Sequence, residues 1–246
     1  MIPALTIVNS EPFFLPVWIA HYRREGLHPV VLHHRLPGQP ALVCDAEVRE
    51  FRHDLAYDHA WLLATVTREF AAEVAKHGAA VFAEADEFVM HRALPLKAVV
   101  AGLPKGGAAR CTGLNVLQVA GEPGIPDGGP LLARRSKCWR AKRYDKTLMA
   151  KRRMQWTQGF HELAPGERHP RPCPDLLLVH CHRLDRERCR RRHEAALRLP
   201  WDPEAVKNGK GWQTRQVGDA FDAWYSEGSD LGEACVDLPD WARSRV

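Results

Sequence analysis

Three acidic residues lie within four positions at the end of the apolar stretch "AAVFAEADEFVM", residues 79–90: Glu84, Asp86 and Glu87. Carboxylates clustered at the end of a buried strand repel one another unless water, a protein cation or a metal ion answers their charge. On an extended chain, residues two apart point to the same side at a spacing of about 7 Å. Glu84 and Asp86 are therefore expected to face one cavity, with a positive charge opposite them, while Glu87 turns away.

The chemistry that suits this pair is metal binding rather than sugar hydrolysis. The two carboxylates of a glycosidase must approach one glycosidic bond from opposite sides, which neighbours on one strand cannot do. Hard oxygen ligands favour Mg2+ or Mn2+, and these ions commonly bridge to the phosphates of a substrate. The sequence thus predicts a Mn2+ or Mg2+ site with a nucleotide diphosphate as the third component.

The elements that position these acids begin at the N-terminus. The run "ALTIV" (4–8) is typical of a buried parallel strand and leads into Asn9, Ser10 and Glu11. Apolar residues then recur at helical spacing from Pro12, and Gly26 is placed to end that helix. The run "HPVVLHH" (28–34) predicts a second strand. The chain therefore opens as β-α-β.

A second helix and strand follow. Asp58 can cap a helix with an apolar stripe that ends at Gly78, and "AAVFA" then predicts another buried strand. Alternating strands and helices predict an α/β fold with a mostly parallel central sheet and helices on both faces. Ligands of such sheets bind beyond the carboxyl ends of the strands. Residues 9–11 and 84–87 both fall at that edge.

The remainder of the chain is less regular. Residues 94–130 are rich in Gly and Pro, which predicts loops with short strands. Residues 134–153 carry ten Lys or Arg and a single acid, and "PDLLLVHCHRLD" then predicts a strand followed by an Arg-rich helix. We expect one main domain over residues 1–198, with residues 199–246 as a C-terminal extension packed on it.

The bulk composition excludes several classes. The chain has 246 residues, a formal net charge of +5, 45% hydrophobic and 26% charged residues, which is typical of a globular domain. No stretch approaches the roughly 18 uninterrupted apolar residues of a membrane span, and the N-terminus lacks the pattern of a signal peptide. A cytoplasmic location is expected, with peripheral attachment at the inner membrane surface left open.

Cysteine usage favours reduced thiols. Seven cysteines spread over this length do not resemble a secreted disulfide framework. No pair in the one region rich in Cys and His has the short Cys-x2–4-Cys spacing of structural zinc sites. The sequence therefore does not predict a zinc site. That region contains Cys173, Cys181 and Cys189 with His180, His182 and His193.

The segment "EADEFV" resembles the Asp-x-Asp motif of GT-A glycosyltransferases, although Glu84 stands where Asp is usual. Further segments resemble one bacterial branch of the family 2-like enzymes and cover residues 4–190 in the expected order. They are "NSEPFFLPVWIAHYRREG", "YDHAWL", "GEPGIPDGGPLLARR", "YDKTLMAKRRMQWTQGFH" and "LLLVHCHRLD".

The resemblance implies a GT-A (Rossmann-like) nucleotide-binding fold and a hexosyltransferase-like enzyme. It would transfer a sugar from a UDP- or GDP-linked donor to a glycan or small-molecule hydroxyl, with inversion and a divalent ion. It further implies that Asp86 and Glu84 bind the metal, joined by His161 as first choice or His180 as second. Asn9, Ser10, Glu11 and Glu84 would line the nucleotide pocket.

Two further roles are expected on chemical grounds. Negative charge develops on the leaving diphosphate, and nearby cations stabilise it; Lys146 and Arg135 are the candidates. An inverting enzyme also needs a carboxylate to take the proton of the acceptor hydroxyl. Asp127 and Glu122 lie in the loop that the resemblance places near the acceptor, and the sequence does not choose between them.

Other interpretations remain open at this level. The acids could form a solvated loop, residues 9–11 could simply cap a helix, and Lys146 could lie on a solvated basic face. A nucleic-acid-binding protein could use residues 134–153 and 183–192 to contact phosphates, with Trp139 and Trp156 stacking on bases. This accounts for the charge but not for the acids. A glycosyltransferase-like scaffold without activity is the third possibility.

Overall fold

The computed structural model describes residues 1–140, 142–226 and 235–246, except the side chain of Arg143. Parts of the basic segment 134–153 and of the extension 199–246 therefore lie outside the described residues. The strands are β1 Pro3–Val8, β2 His28–Arg35, β3 Glu47–Arg52, β4 Ala80–Phe82, β5 Glu87–His91, β6 Ala108–Leu117, β7 Lys137–Arg140, β8 Thr147–Ala150, β9 Pro172–Arg183 and β10 Cys235–Asp237. The helices are α1 Phe14–Arg24, α2 His59–His77, α3 Leu96–Gly102, α4 Arg186–Ala196, α5 Pro203–Lys207, α6 Gly218–Ser226 and α7 Asp240–Arg243.

One half of the sheet is parallel. β1 pairs in parallel with β2 on one side and with β4 on the other, and β2 pairs in parallel with β3. The connection through α1 leads away from β1 to β2, whereas the connection through α2 leads back from β3 to β4. Because such crossovers are right-handed, opposite directions place α1 and α2 on opposite faces of the sheet. This half matches the predicted β-α-β opening.

Helix α2 forms as the sequence predicts. The Asp58 carboxylate accepts a hydrogen bond from the Trp61 amide at 3.0 Å, which satisfies one of the free N–H groups at the helix start. Gly78 ends the helix with a φ of 78°, a left-handed conformation that glycine adopts without a steric penalty. Val66 and Phe70 on the inner face are fully buried. The helix therefore fixes the entry into β4.

The other half of the sheet is antiparallel. β8 pairs antiparallel with β4, β6 with β8, β7 with β6, and β10 with β7. β9 then pairs in parallel with β6 and antiparallel with β5. The predicted α/β class is confirmed, but the expectation of a mostly parallel sheet is right for one edge only. The reason is that β8, which the sequence places in a basic run, inserts between β4 and β6.

Two strands escape prediction from local patterns. Residues 94–130, for which the sequence predicts loops with short strands, contain α3 and the strand β6, which at ten residues is not short. β6 is flanked by Gly and Pro, and its central position comes from partners distant in sequence, which a local pattern does not reveal. β3 lies at the edge of the sheet and has the sequence "EVREFR". Its charged residues replace the apolar run by which a buried strand is recognised.

The C-terminal residues pack on the main body. β10 extends the sheet beside β7, and Leu238, Ala242 and Val246 are buried in the main core. The Tyr57 and Trp201 rings stack with centroids 3.7 Å apart, and the Ala56 amide donates to the Pro200 carbonyl at 2.7 Å. Within the described ranges, none of the helices combines the length and apolar character needed to cross a bilayer.

Gly113 in β6 is a point at which the fold tolerates no side chain. A Cβ at this position would overlap the backbone carbonyl of Tyr144, which is not free to move as a flexible side chain is. We expect Gly113→Ala to lower the free energy of unfolding by about 1–3 kcal/mol through overpacking. Urea denaturation would measure the loss. Gly102→Ala is the matched control because a Cβ there meets open space; equal stability of the two variants would contradict the prediction.

Candidate functional site

The chain turns sharply between β4 and β5, and this turn divides the three acids. The Glu87 amide donates to the Glu84 carbonyl at 2.9 Å, and residues 85–86 form the turn. The expectation that Glu84 and Asp86 share one cavity while Glu87 turns away is therefore wrong. Glu84 and Glu87 lie on one side and Asp86 on the other, because the spacing of two residues applies to an extended chain and not to a turn.

Lys146 forms ion pairs with both Glu84 and Glu87. Its Nζ lies 2.7 Å from a carboxylate oxygen of Glu84 and 2.6 Å from one of Glu87, and its side chain is 1% exposed. Burial favours the neutral amine, but the two carboxylates outweigh it and raise the pKa of Lys146 above its usual range. Lys146 thus lies on no solvated face. It locks the segment before β8 to the turn after β4.

Asp86 is buried in a separate cluster of cationic and imidazole groups. Its carboxylate lies 3.0 Å from Nη2 of Arg192, 3.5 Å from Nδ1 of His182 and 3.9 Å from Nε2 of His180. Burial opposes its ionisation, but Arg192 and the imidazoles hold the pKa of Asp86 well below its usual range. Asp86, His180 and His182 offer ligand atoms within 4.8 Å of one another, as a metal site requires.

Both histidines near Asp86 lie on strand β9. His180 and His182 are two apart on this strand, and their rings stack with centroids 5.9 Å apart. β9 pairs with β5 so that His180 lies opposite Glu87, directly after Asp86. Burial lowers the pKa of His180 to about 3, which keeps a lone pair free for a metal. Burial would also lower the pKa of His182, but contacts with Asp86 and Cys189 raise it to about 9.

Arg192 connects Asp86 to the β1–α1 loop. Its Nε lies 3.2 Å from Glu11, while its Nη1 is buried without a hydrogen-bond partner in the described residues. Glu11 also accepts a long hydrogen bond from the Phe14 amide at 3.4 Å, so it caps the start of α1 as well. An unsatisfied buried guanidinium N–H costs free energy, and an anion placed beside it would remove that cost.

A cavity of about 570 Å3 adjoins this loop. Asn9, Ser10 and Glu11 line it together with His33 of β2 and apolar residues of α1. The side chain of Asn9 already makes hydrogen bonds within the fold: its amide donates to the His34 carbonyl at 2.7 Å and to the Gln39 side chain. The volume lies within the range of small-molecule sites, roughly 300–1,000 Å3.

His161 lies one aromatic ring away from His180. The Tyr144 ring has its centroid 5.4 Å from that of His180 and 6.2 Å from that of His161. Of the two histidines expected to complete the metal shell, the second choice, His180, is the one that approaches Asp86. Phe160, just before His161, has a φ of 59°, which is rare for a residue with a side chain. Such strain is frequent at functional sites.

Arg135 and Glu122 belong to another network. Arg135 is buried and donates to the carbonyls of Leu184, Pro123 and Arg134. Its guanidinium lies 3.8 Å from Glu122, whose carboxylate also accepts from the backbone and hydroxyl of Ser136 at 2.8 and 2.7 Å. The two residues hold the loop before β7 in place. Asp127 is instead 90% exposed and pairs with Arg188 at 2.8 Å.

Several described residues of the basic segment are committed to contacts within the fold. Trp139 and Trp156, proposed above to stack on bases, are 2% and 3% exposed and belong to the interior. Arg140 pairs with Asp145, and Lys151 donates to the carbonyls of Ala101 and Leu103. Much of the charge predicted for a phosphate-binding surface is therefore used within the fold.

Sequence reasoning did not identify Arg192 or His182 as site residues. Arg192 lies in the Arg-rich helix α4 and was indistinguishable from its neighbours, several of which pair with acids on the same helix. The spacing of His180 and His182 on a strand was a usable signal, because residues two apart share a face. No protein-family model matches the chain, and no curated protein matches it significantly.

Proposed function

We propose that the chain transfers a glycosyl group from a nucleotide diphosphate sugar to an acceptor hydroxyl, on a fold of the GT-A type. The proposal rests on one observation: Asp86 contacts both His180 and Arg192, and Arg192 also pairs with Glu11 in the wall of a ligand-sized cavity. These residues lie beyond the carboxyl ends of β1 and β4, the edge at which α/β sheets bind their ligands. The resemblance of "EADEFV" to the Asp-x-Asp motif agrees with it.

The donor atoms suit one divalent ion. Asp86 provides a carboxylate oxygen and His180 a neutral imidazole nitrogen, while Glu84 is held by Lys146 and does not join them. An imidazole ligand makes Mn2+ a better fit than Mg2+, which prefers oxygen ligands. Such an ion would bind the diphosphate and stabilise its charge as it leaves. His182 would orient Asp86 through Nδ1.

Arg192 takes the role for which the sequence favoured Lys146 or Arg135. Its guanidinium pairs with Asp86 through Nη2 and with the cavity residue Glu11 through Nε, while Nη1 is buried with no hydrogen-bond partner among the described residues. A phosphate oxygen is the ligand that a guanidinium N–H binds best in such a place. Lys146 and Arg135 instead hold the turn and the loop on which the site rests.

The nucleoside of the donor would occupy the cavity beside residues 9–11. Leu15 and Ile19 of α1 give it an apolar wall. His33 is also in the lining, and its buried Nδ1 has no hydrogen-bond partner among the described residues. Small-molecule sites typically combine such apolar walls with a few polar groups. UDP and GDP are the candidates.

Asp127 is the better of the two expected bases. The carboxylate of Glu122 accepts hydrogen bonds from Ser136 and from the Val119 amide, so it is held within the loop. Asp127 pairs with Arg188, and its side chain is 90% exposed to solvent, where an acceptor sugar could reach it. We therefore propose that Asp127 is the base that takes the proton of the acceptor hydroxyl.

An inactive scaffold is the second candidate. Lys146 and Arg192 already give each of the three acids a cationic partner without any ligand, so the acids do not need a metal ion for the fold. The two candidates differ in one measurable property, since only the enzyme requires a nucleotide and an ion to bind together.

Calorimetry tests the proposal. UDP or GDP is expected to bind with Mn2+ present and to bind at least about tenfold more weakly after chelation, a difference of about 1.4 kcal/mol. ADP serves as the control for nonspecific attraction of a diphosphate to a basic protein. If neither UDP nor GDP binds in the presence of Mn2+, the proposal fails. Salt-dependent binding of short oligonucleotides would then favour a nucleic-acid partner instead.

A further inference from the structure

The opposite edge of the His182 ring takes part in a second cluster. Nε2 of His182 lies 3.3 Å from Nε2 of His193, and Sγ of Cys189 lies 3.8 Å from the same His193 atom. Ligand atoms of the three residues all fall within 4.8 Å of one another. Cys189 and His193 are four apart on α4 and therefore share one face of that helix.

The spacing matches that of a tetrahedral metal ion. With metal–nitrogen distances of about 2.05 Å and metal–sulfur distances of about 2.3 Å, tetrahedral ligands are separated by roughly 3.3 Å for two nitrogens and roughly 3.6 Å for nitrogen and sulfur. Two of the three separations in the cluster are 3.3 Å and 3.8 Å, and the third, between His182 and Cys189, is at most 4.8 Å. Two imidazoles and a thiolate are also the mixed nitrogen and sulfur ligands that Zn2+ binds.

The outer atoms of both rings are held as metal-binding histidines require. Nδ1 of His182 lies 3.5 Å from the Asp86 carboxylate, and Nδ1 of His193 lies 3.1 Å from the Gln216 carbonyl. A histidine that binds metal through one nitrogen almost always donates its other N–H to such an oxygen. Both Nε2 atoms are thus directed at the thiol side of the cluster.

The surroundings of the cluster are largely apolar and bring α4 and α6 together. Cys189 packs in a small apolar cluster with Phe221, Trp224 and Tyr225 of α6. The His193 ring contacts Phe221 and Trp224 with centroids 5.2 and 4.7 Å apart. Hydrogen bonds among the thiol and the two imidazoles would give similar distances, so the experiment below is one that only a bound metal ion can satisfy.

We infer that His182, Cys189 and His193 form a zinc site that fastens α4 to β9. Three protein ligands leave one coordination position open. The site is independent of the proposed transferase activity, although it touches it, because zinc on Nε2 of His182 would fix the ring whose Nδ1 contacts Asp86.

Cobalt substitution provides the test. The reduced protein, treated with a chelator and dialysed, is titrated with Co2+ and then with Zn2+. We expect one equivalent of Co2+ to produce the visible absorption of a tetrahedral ion together with a thiolate charge-transfer band. Zn2+ should displace it and raise the melting temperature, because a ligand that binds only the native state stabilises it.

Two cysteine variants locate the metal. Cys189→Ser should lose the charge-transfer band and bind Zn2+ more weakly by more than the roughly 10- to 100-fold that loss of an outer hydrogen-bond partner costs. Cys181→Ser, a change at another buried cysteine close to the site, should keep the band. If Cys189→Ser does not fold, His193→Asn serves in its place.

The inference is overturned if the wild-type protein binds no stoichiometric Co2+ or Zn2+, or if the band survives in Cys189→Ser. Nucleotide binding measured with Mn2+ on the same samples separates the two proposals. If the protein binds zinc but neither UDP nor GDP, the transferase proposal alone is refuted. If it binds UDP or GDP but no zinc, the zinc site alone is refuted.

Discussion

Asp86→Asn is expected to abolish Mn2+-dependent nucleotide binding in a chain that remains folded. The substitution replaces an ionised oxygen donor with a neutral amide of nearly equal volume, and Mn2+ affinity should fall by more than about 10- to 100-fold. The fold should survive because Arg192 retains Glu11 as its partner at 3.2 Å. Titration of Mn2+ at saturating nucleotide would measure the loss, with circular dichroism to verify folding.

Glu84→Gln is the matched control. It makes the same change from carboxylate to amide two residues away, but Glu84 is bound to Lys146 and not to the proposed ion. Its Mn2+ affinity should stay within about twofold of the wild type, a difference below about 0.5 kcal/mol. A folded Asp86→Asn protein with wild-type Mn2+ affinity would remove Asp86 from the metal site.

Lys146→Ala should reduce stability rather than turnover alone. The buried Nζ is shared by Glu84 and Glu87, and its removal leaves Glu87 buried without its cation. Breaking one partner of a buried ion pair typically costs about 3–5 kcal/mol, a large fraction of the total stability of a domain. Urea denaturation followed by tryptophan fluorescence would measure the change.

Two further variants separate burial from charge. Lys137→Ala removes a lysine from an exposed pair with Asp237, which solvent screens, and should lower stability far less than Lys146→Ala does. Combining Lys146→Met with Glu84→Gln and Glu87→Gln should recover much of the loss, because neutral groups need no buried cation. A Lys146→Ala protein no less stable than Lys137→Ala would show that the buried charge cluster does not stabilise the fold.

Local elements of this fold were predictable because their signals are local. Asp58 and Gly78 bound α2 in the sequence as in the structure, since a cap needs only a side chain and the first free amides, and a left-handed end needs only glycine. The buried strands β1 and β2 were equally clear from their apolar runs. Asp185 likewise caps α4 by accepting from the Arg188 amide.

The partners of the acids were not predictable. Lys146 meets Glu84 across 62 positions and Arg192 meets Asp86 across 106, so no periodicity could relate them. The sheet that brings them together depends on β8 inserting beside β4, which is a property of long-range pairing. Within the cluster, the turn at residues 85–86 reversed the sides that the acids were expected to take.

β3 has a consequence for the behaviour of the protein at high concentration. It ends the parallel side of the sheet, and four of its six residues, "EVREFR", are charged. Arg49 binds Glu69 and Glu73 of α2, and Arg35 of β2 binds Glu50, so these charges are anchored to the fold. A second chain adding a strand here would have to bury or displace them. This edge therefore opposes self-association through strand addition and so protects against aggregation.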